Sequence, residues 1–537
     1  MTPEQSAFKE AVESALLQNG AEDLVFTVDE NKAEWHFKLK CNGQSWPLFL
    51  RTYTWSLIPL PFLYWDKPEP VWGWPHTGDD GSICAFDKQG IDYDAENHEG
   101  VIRQIIDTSM QMLMSHHAMN EAERLHAFAD ELESYARKVG IHALTLDAPL
   151  RGFKRVHAAV TPKSKGLGQI ERINSSEVIS KTQRHSLFVF DVDIGDLPPL
   201  VNKPSFDWWN SLCQRLPVKS RCRLEKKRGC GVILRVPNRF GGAHILLYWG
   251  GNKVRSQHFQ IYRLESAYHE YLTRRVGQHS LSRRVAVIGV GAVGSRVAEH
   301  LALTGIKHLT LVDSDDMSAN NLGRHVLSRN FLGMNKAFSM AAHLCNRMPG
   351  IDITPFDCSF RKWLTIAQPN DFDVIILAIG NLAEERLWYR RAWREGWTCR
   401  LVSTFVEAAN LGGHAISMQP SEPGCLECLY EAEDPAALGT LRTVMLEPGQ
   451  SSSQEISGCG AFTPYSAITA TRTALLAAEL ALPGAAIGYH RWAGSDESAA
   501  ALNLRPSSFW HALREGRTLP FITRESYLRD GCPCCGN

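Results

Sequence analysis

The stretch that most narrows what this chain can fold into begins at Arg283: RRVAVIGVGAVGSRVAEHLALTGIKHLTLVDSDDMSANNLGRHVL, with Gly333-Met-Asn-Lys336 soon after. Val285, Val287 and Ile288 form a short apolar run of buried-strand type. Gly289, Gly291 and Gly294 then make G-x-G-x-x-G, a helix is expected through about Leu303, and Gly305 is a helix-stop residue. Leu309, Leu311 and Val312 predict a second strand ending at Asp313. The first glycine permits the tight turn, the second lets backbone approach a phosphate, and the third lets helix pack on strand. The helix start offers unpaired N–H groups and a positive dipole end to phosphate oxygens. Asp313, about 20 residues past the last glycine, stands where an acid takes ribose hydroxyls.

The residues that follow select the nucleotide. Asp313 and Asp315, Asn320 and Asn321, Arg324, and Lys336 suit a triphosphate better than a nicotinamide, because Arg and Lys stabilise charge on a transferring phosphate. The pattern D-x-D, N-x-x-R and G-x-x-K resembles the adenylation domain of ubiquitin-activating enzymes and their bacterial relatives ThiF and MoeB. The resemblance covers about 283–537. It implies ATP as co-substrate, adenylation of the C-terminal glycine of a small protein, and a homodimer. It also implies an acid for Mg2+ at the exit of the strand Asp373-Val-Ile-Ile-Leu-Ala-Ile-Gly380-Asn381, but Gly380 stands at that position. Asp315, or a water held by Asn381, is the expected substitute.

Fourteen cysteines are many for a chain without a secretion signal, so metal binding and thiol chemistry are expected rather than a disulfide scaffold. Cys425-Leu-Glu-Cys428 and Cys532-Pro-Cys-Cys535 are two C-x-x-C pairs, and two such bites make a closed tetrahedral Zn2+ site. Cys534 is an alternative ligand to Cys532. Between the pairs, 432–457 is rich in Pro, Gly and Ser and leads to Cys459, ahead of a helix expected over Tyr465–Leu482 with Thr463 as its cap. A thiol there has its thiolate favoured by the helix dipole. Activating enzymes place their thioester cysteine in such a loop, which assigns Cys459 that role by resemblance.

Residues 1–140 read differently. A helix over Gln5–Leu17, strands near 24–28, 33–39 and 46–53, a segment rich in Pro and aromatics, and two helices near 99–116 and 120–138 are expected. The proline-rich approach to Trp74-Pro75-His76 and then Gly81-Ser82-Ile83-Cys84 resembles the ubiquitin-conjugating enzymes, whose His-Pro-Asn triplet precedes the catalytic cysteine. On that resemblance Cys84 matches the thioester cysteine and His76 takes the Asn position. Residues 141–282 predict an α+β connector, with a helix from Leu264 to Arg275 feeding the glycine-turn strand. The basic cluster Lys219–Arg228 is expected to be a solvated face.

The fold class is therefore multidomain: an α+β conjugating-type domain (1–140), an α+β connector (141–282) and a Rossmann-like α/β adenylation domain with structural zinc (283–537). A net charge of −1 argues against a nucleic-acid or membrane partner. No run of 18 apolar residues or signal-peptide pattern occurs, so the cytoplasm is the expected compartment. The whole order resembles the CD-NTase-associated protein 2 family of bacterial CBASS antiphage operons. That resemblance implies attachment of the C-terminus of a cGAS-like nucleotidyltransferase to other molecules. The alternatives are a conjugating fusion for a ubiquitin-like protein, sulfur-carrier activation as in ThiF, and a scaffold without turnover.

Overall fold

The computed structural model describes residues 1–30, 32–66, 72–78, 80–86, 91–150, 155–161, 168–171, 185–216, 231–249, 259–431, 441–457 and 460–536. Cys459 and the basic cluster 219–228 lie outside the described residues. The chain divides into two compact units, Met1–Ser266 and Ala267–Asn537. Among the described residues no helix is long and apolar enough to cross a membrane.

The first unit opens with α1 (Pro3–Gln18), closed at its start by a Thr2–Gln5 capping box. A five-stranded antiparallel sheet follows in sequence order: β1 (Glu22–Val28), β2 (Ala33–Cys41), β3 (Gln44–Thr52), β4 (Phe62–Trp65) and β5 (Ser82–Ile83). Trp35, Phe37 and Leu39 alternate inward along β2 and meet Leu48 and Leu50 of β3 beneath α1 and α2 (His98–Ala118). Ile102, Ile105, Ile106 and Met110 form the buried stripe of α2. The helix expected over 120–138 is two: α3 (Glu121–Ala129) and α4 (Leu132–Lys138), separated at Asp130 and Glu131.

The rest of this unit is a closed barrel. Its strands are β6 (Ala143–Leu146), β7 (Arg155–Thr161), β8 (Gly168–Glu171), β9 (His185–Asp191), β10 (Gly231–Val236), β11 (Ala243–Trp249) and β12 (Phe259–Ser266), in the order β10-β11-β12-β6-β8-β7-β9. The helix expected from Leu264 starts only at His269. Arg263 to Ser266 instead stay extended, because they pair with Ala143 to Leu146 and close the barrel.

The second unit is an eight-stranded sheet. β13 (Leu281–Ile288), β14 (Ile306–Val312), β15 (Asp352–Phe356), β16 (Val374–Leu377) and β17 (Arg400–Val406) run parallel in the order β15-β14-β13-β16-β17. β18 (Gly412–Met418) joins antiparallel. After a separate hairpin, β19 (Gln454–Ser457) and β20 (Gly460–Phe462), the sheet ends with β21 (Gly488–Ala493) and β22 (Phe521–Thr523). Strand alternation divides the core. Val285 and Val287 face the helices Ala292–Leu303, Lys336–Arg347 and Ala467–Ala481, whereas Ala286 and Ile288 face Trp363, Trp388 and Tyr389. The last of those three helices begins later than expected. Ser466, not Thr463, is its cap and accepts the Thr469 N–H at 3.3 Å, because the Pro464 carbonyl is taken by the Ala409 N–H.

Candidate active site

The parallel order reverses at β13, whose neighbours are reached in opposite directions, and such a switch point opens a crevice at the carboxyl ends of the strands. The glycine turn sits there. Gly289 has φ of +83°, and a Cβ on it would lie 2.6 Å from the Ala378 carbonyl oxygen. A Cβ on Gly294 would lie 1.8 Å from the Gly289 carbonyl, whereas one on Gly291 would meet nothing within 4 Å. Two glycines thus build the turn, and the third leaves room above the start of the helix Ala292–Leu303.

Asp313, at the end of β14, braces this turn. Its Oδ2 accepts the Val290 N–H at 2.6 Å and its Oδ1 the Asp315 N–H at 2.8 Å. Burial raises its pKa above that of an ordinary aspartate, against the pull of those N–H donors. Lys336, buried at the start of its helix, pairs with Asp315 at 2.9 Å, and Asp315 is largely exposed. Asn335 reaches back to the Asp313 carbonyl at 2.9 Å. The Asn321 side chain accepts from Ser318 N and Oγ and shapes its own turn. Arg324 donates to the Thr463 carbonyl at 3.2 Å and lies over the Tyr465 ring, so it meets the segment between β20 and the helix Ala467–Ala481.

His325 was not a candidate from sequence, where nothing separates it from any histidine next to a motif. It is buried, with Nε2 2.7 Å from the Val290 carbonyl and Nδ1 accepting the Leu327 N–H at 3.0 Å. Those bonds define a neutral ring with its proton on Nε2. Burial pushes its pKa down from 6.5 to about 4. The unfolded chain therefore binds the extra proton first. Stability contributed by neutral His325 is fully present above about pH 6.5 and is lost as pH falls towards 4, by up to about 3 kcal/mol. Replacing His325 with Gln is expected to flatten this part of the pH–stability curve, measured as denaturant midpoints between pH 4 and 7. An unchanged slope refutes the assignment.

The exit of β16 carries no free acid. Gly380 is left-handed (φ +75°), and Asn381 caps the next helix by accepting the Glu384 N–H at 3.3 Å. Glu385, fully buried below, accepts the Gly380 N–H at 3.3 Å and the Ser403 hydroxyl, and burial drives its pKa well up. Asp315 is the exposed carboxylate that fits Mg2+ here. A cleft of about 460 Å³ opens beyond the ends of β16 and β17, lined by Leu382, Arg386, Phe405, Glu407, Tyr430 and Val444, among others.

Cys425, Cys428, Cys532 and Cys535 are all buried, with their sulfurs within 4.8 Å of one another. The closest pairs are 3.6 Å (Cys425 and Cys532) and 3.4 Å (Cys428 and Cys535). A tetrahedron with Zn–S bonds of about 2.3 Å needs sulfur separations of about 3.8 Å, so this donor set fits Zn2+. Cys534 is buried beside the cluster and is not one of the four.

In the first unit Cys84 is exposed. It follows β5 in a tight antiparallel turn: Cys84 N–H donates to the His76 carbonyl at 2.7 Å, Gly78 N–H to Ser82 O at 2.8 Å, and Thr77 bridges Ile83. This sets His76 opposite Cys84, at a Cα separation of about 5.5 Å for such a pair.

Comparisons with a family model and with three known proteins bear on this arrangement. Residues 270–483 match the ThiF family model. The chain is 24% identical over 493 residues to "ATP-dependent ubiquitin transferase-like protein Cap2" of Pseudomonas aeruginosa, covering 82% of this chain and 84% of that protein. A shorter match to the Cap2 protein of Enterobacter hormaechei is 33% identical over 102 residues, 19% of this chain and 17% of that one. The NEDD8-activating enzyme E1 catalytic subunit of Dictyostelium discoideum is 25% identical over 181 residues, 31% of this chain and 39% of that protein. A glycine cradle at the switch point, its braced aspartate, and similarity running through both units lead to one conclusion: this is a Cap2-like protein of the ThiF/E1 type.

Proposed function

We propose that the chain uses ATP to adenylate the C-terminal glycine of a protein and then passes the acyl group through two cysteines to an amine. ATP lies over Gly289–Gly294 with its ribose on Asp313. The glycine carboxylate, entering by the cleft at Leu382 and Tyr430, attacks the α-phosphorus and pyrophosphate leaves. Lys336 and Arg324 stabilise the charge that develops, and Asp315 would hold Mg2+, which would neutralise charge on the phosphates. For Arg324 this requires release from the Thr463 carbonyl. The Cys459 thiolate takes the acyl group and AMP departs. Cys84 exchanges with that thioester and delivers the acyl group to an amine, such as a lysine. The homologous adenylation domains suggest that two copies of the chain act together as a homodimer.

The observation that carries this reading is the Cap2 similarity over 82% of the chain, which extends beyond residues 270–483 into the first unit. The family resemblance supports a cGAS-like nucleotidyltransferase as the protein activated, in antiphage defence. The NEDD8-activating relatives favour a second reading, in which the activated protein is a ubiquitin-like modifier. Adjacent genes distinguish the two: a nucleotidyltransferase supports the first, and a small protein ending in Gly-Gly the second. For either, Cys84→Ala is expected to leave ATP–pyrophosphate exchange unchanged while conjugates disappear from denaturing gels. Conjugation that survives this substitution refutes the conjugating half.

A further inference from the structure

The break between α3 and α4 delivers a side chain that the helical pattern hides. Glu131 lies in that break, and both of its carboxylate oxygens go to His76. Oε2 accepts the His76 backbone N–H at 2.9 Å, and Oε1 lies 3.0 Å from Nδ1. His76 has φ of +55°, a left-handed conformation that a side chain adopts only when its surroundings hold it. The two-point grip of Glu131 supplies that hold. The imidazole also stacks on His116 of α2, with rings 5.8 Å apart and nearly parallel. Among the described residues, the titratable groups set against His76 include Glu131 before α4, His116 from α2 and Cys84 across the turn, and Lys138 and Asp80 reach the same turn at Ser82.

A carboxylate on Nδ1 selects the tautomer with its proton there and leaves Nε2 as an acceptor. The imidazole is about half exposed, with 45% of its side-chain surface open. Burial pushes the Glu131 carboxyl up, but the His76 side-chain and backbone N–H bonds outweigh it and hold the group below the usual range, so it is charged. Burial, and then the neighbouring His76, push His116 down, so it adds no competing cation.

We propose that Glu131 is a positioning residue for discharge of the Cys84 thioester, holding His76 so that Nε2 takes the proton of the incoming amine. This rests on the reading of Cys84 as a thioester cysteine. The amine nitrogen attacks the thioester carbonyl carbon, a C–N bond forms, and the C–S bond breaks. The amine proton passes to His76 Nε2 and then to the departing Cys84 sulfur, leaving an amide and a free thiol. The Glu131–His76 hydrogen bond is aligned by the chain itself, so the base is oriented before substrate arrives.

The test charges the full chain at Cys84 with a fluorescent peptide ending in glycine, supplied as its mercaptoethanesulfonate thioester. This bypasses ATP and the second unit. Discharge to free lysine is followed on non-reducing gels, with Cys84→Ala as the blank. Glu131→Gln is expected to charge like the native chain and to discharge at least about tenfold more slowly. Adding it to His76→Ala is expected to slow discharge no further, because both act through one imidazole. Glu131→Asp, which keeps the charge, is expected to discharge faster than Glu131→Gln. Native chain that takes no label above the Cys84→Ala blank removes the thioester reading itself. Normal charging with native-rate discharge in Glu131→Gln overturns only the positioning role, as do additive losses in the double variant or an Asp variant slower than the Gln one.

Discussion

Chelation of the metal, or Cys425→Ser, is expected to lower the melting temperature of the second unit sharply and to release the C-terminal tail. The four sulfurs come from two places distant in sequence, the turn at Leu426–Leu429 and the tail at 532–535. A cross-link closing a loop of about 100 residues is worth about 5 kcal/mol in chain entropy alone. The surroundings depend on the same turn. Glu427, fully buried between the ligands Cys425 and Cys428, is held by Arg386 and Arg390 at 2.8 and 2.9 Å. Arg442 ties the Cys428 carbonyl to that of Tyr527, and Arg529 reaches the Tyr430 carbonyl at 2.9 Å. Loosening the cluster therefore also frees a buried carboxylate from its partners, which is costly. Elemental analysis should find about one zinc per chain. Calorimetry should show the serine variant and the chelated chain melting below the untreated one. A metal-free chain that melts with the native profile rules the zinc site out.

Gly294→Ala is expected to abolish nucleotide binding and to reduce ATP–pyrophosphate exchange by at least about 100-fold, the scale of losing aligned donors to a transferring oxyanion. The added Cβ would overlap the Gly289 carbonyl at 1.8 Å and press the Ala378 methyl at 3.3 Å. The turn has nowhere to retreat, because Gly289 is itself backed by Ala378 and Val290 is held by Asp313. Gly291→Ala makes the informative contrast, since its Cβ enters open space. It should keep the native melting temperature and weaken ATP alone, by blocking close approach to phosphate. Titration calorimetry with ATP and exchange assays on both variants check this. Native exchange in Gly294→Ala excludes the turn as the cradle.

The elements legible in the sequence were those with a local pattern. The alternation of Trp35, Phe37 and Leu39 gave β2, and the apolar stripe of Ile102 to Met110 gave α2. The spacing of Gly289, Gly291 and Gly294 located the turn between β13 and its helix. Failures came where partners far along the chain override a local preference. Leu264 to Ser266 look helical with the residues after them but pair with β6. The helix pattern of 120–138 hides a break whose residue Glu131 serves His76, 55 positions away in the chain.

The sequence by itself determined that a G-x-G-x-x-G turn, two C-x-x-C pairs and a cysteine after a proline-rich segment share one chain, because each is a short-range spacing that chemistry constrains. Only the tertiary structure brought the Cys532 sulfur, already favoured by its spacing, to the other three, left Asp315 exposed while Asn381 caps a helix, and set His325 on Val290 and Glu131 on His76. Those choices depend on which side chain loses its water and which partner the fold brings within 3 Å, and no spacing along the chain encodes either.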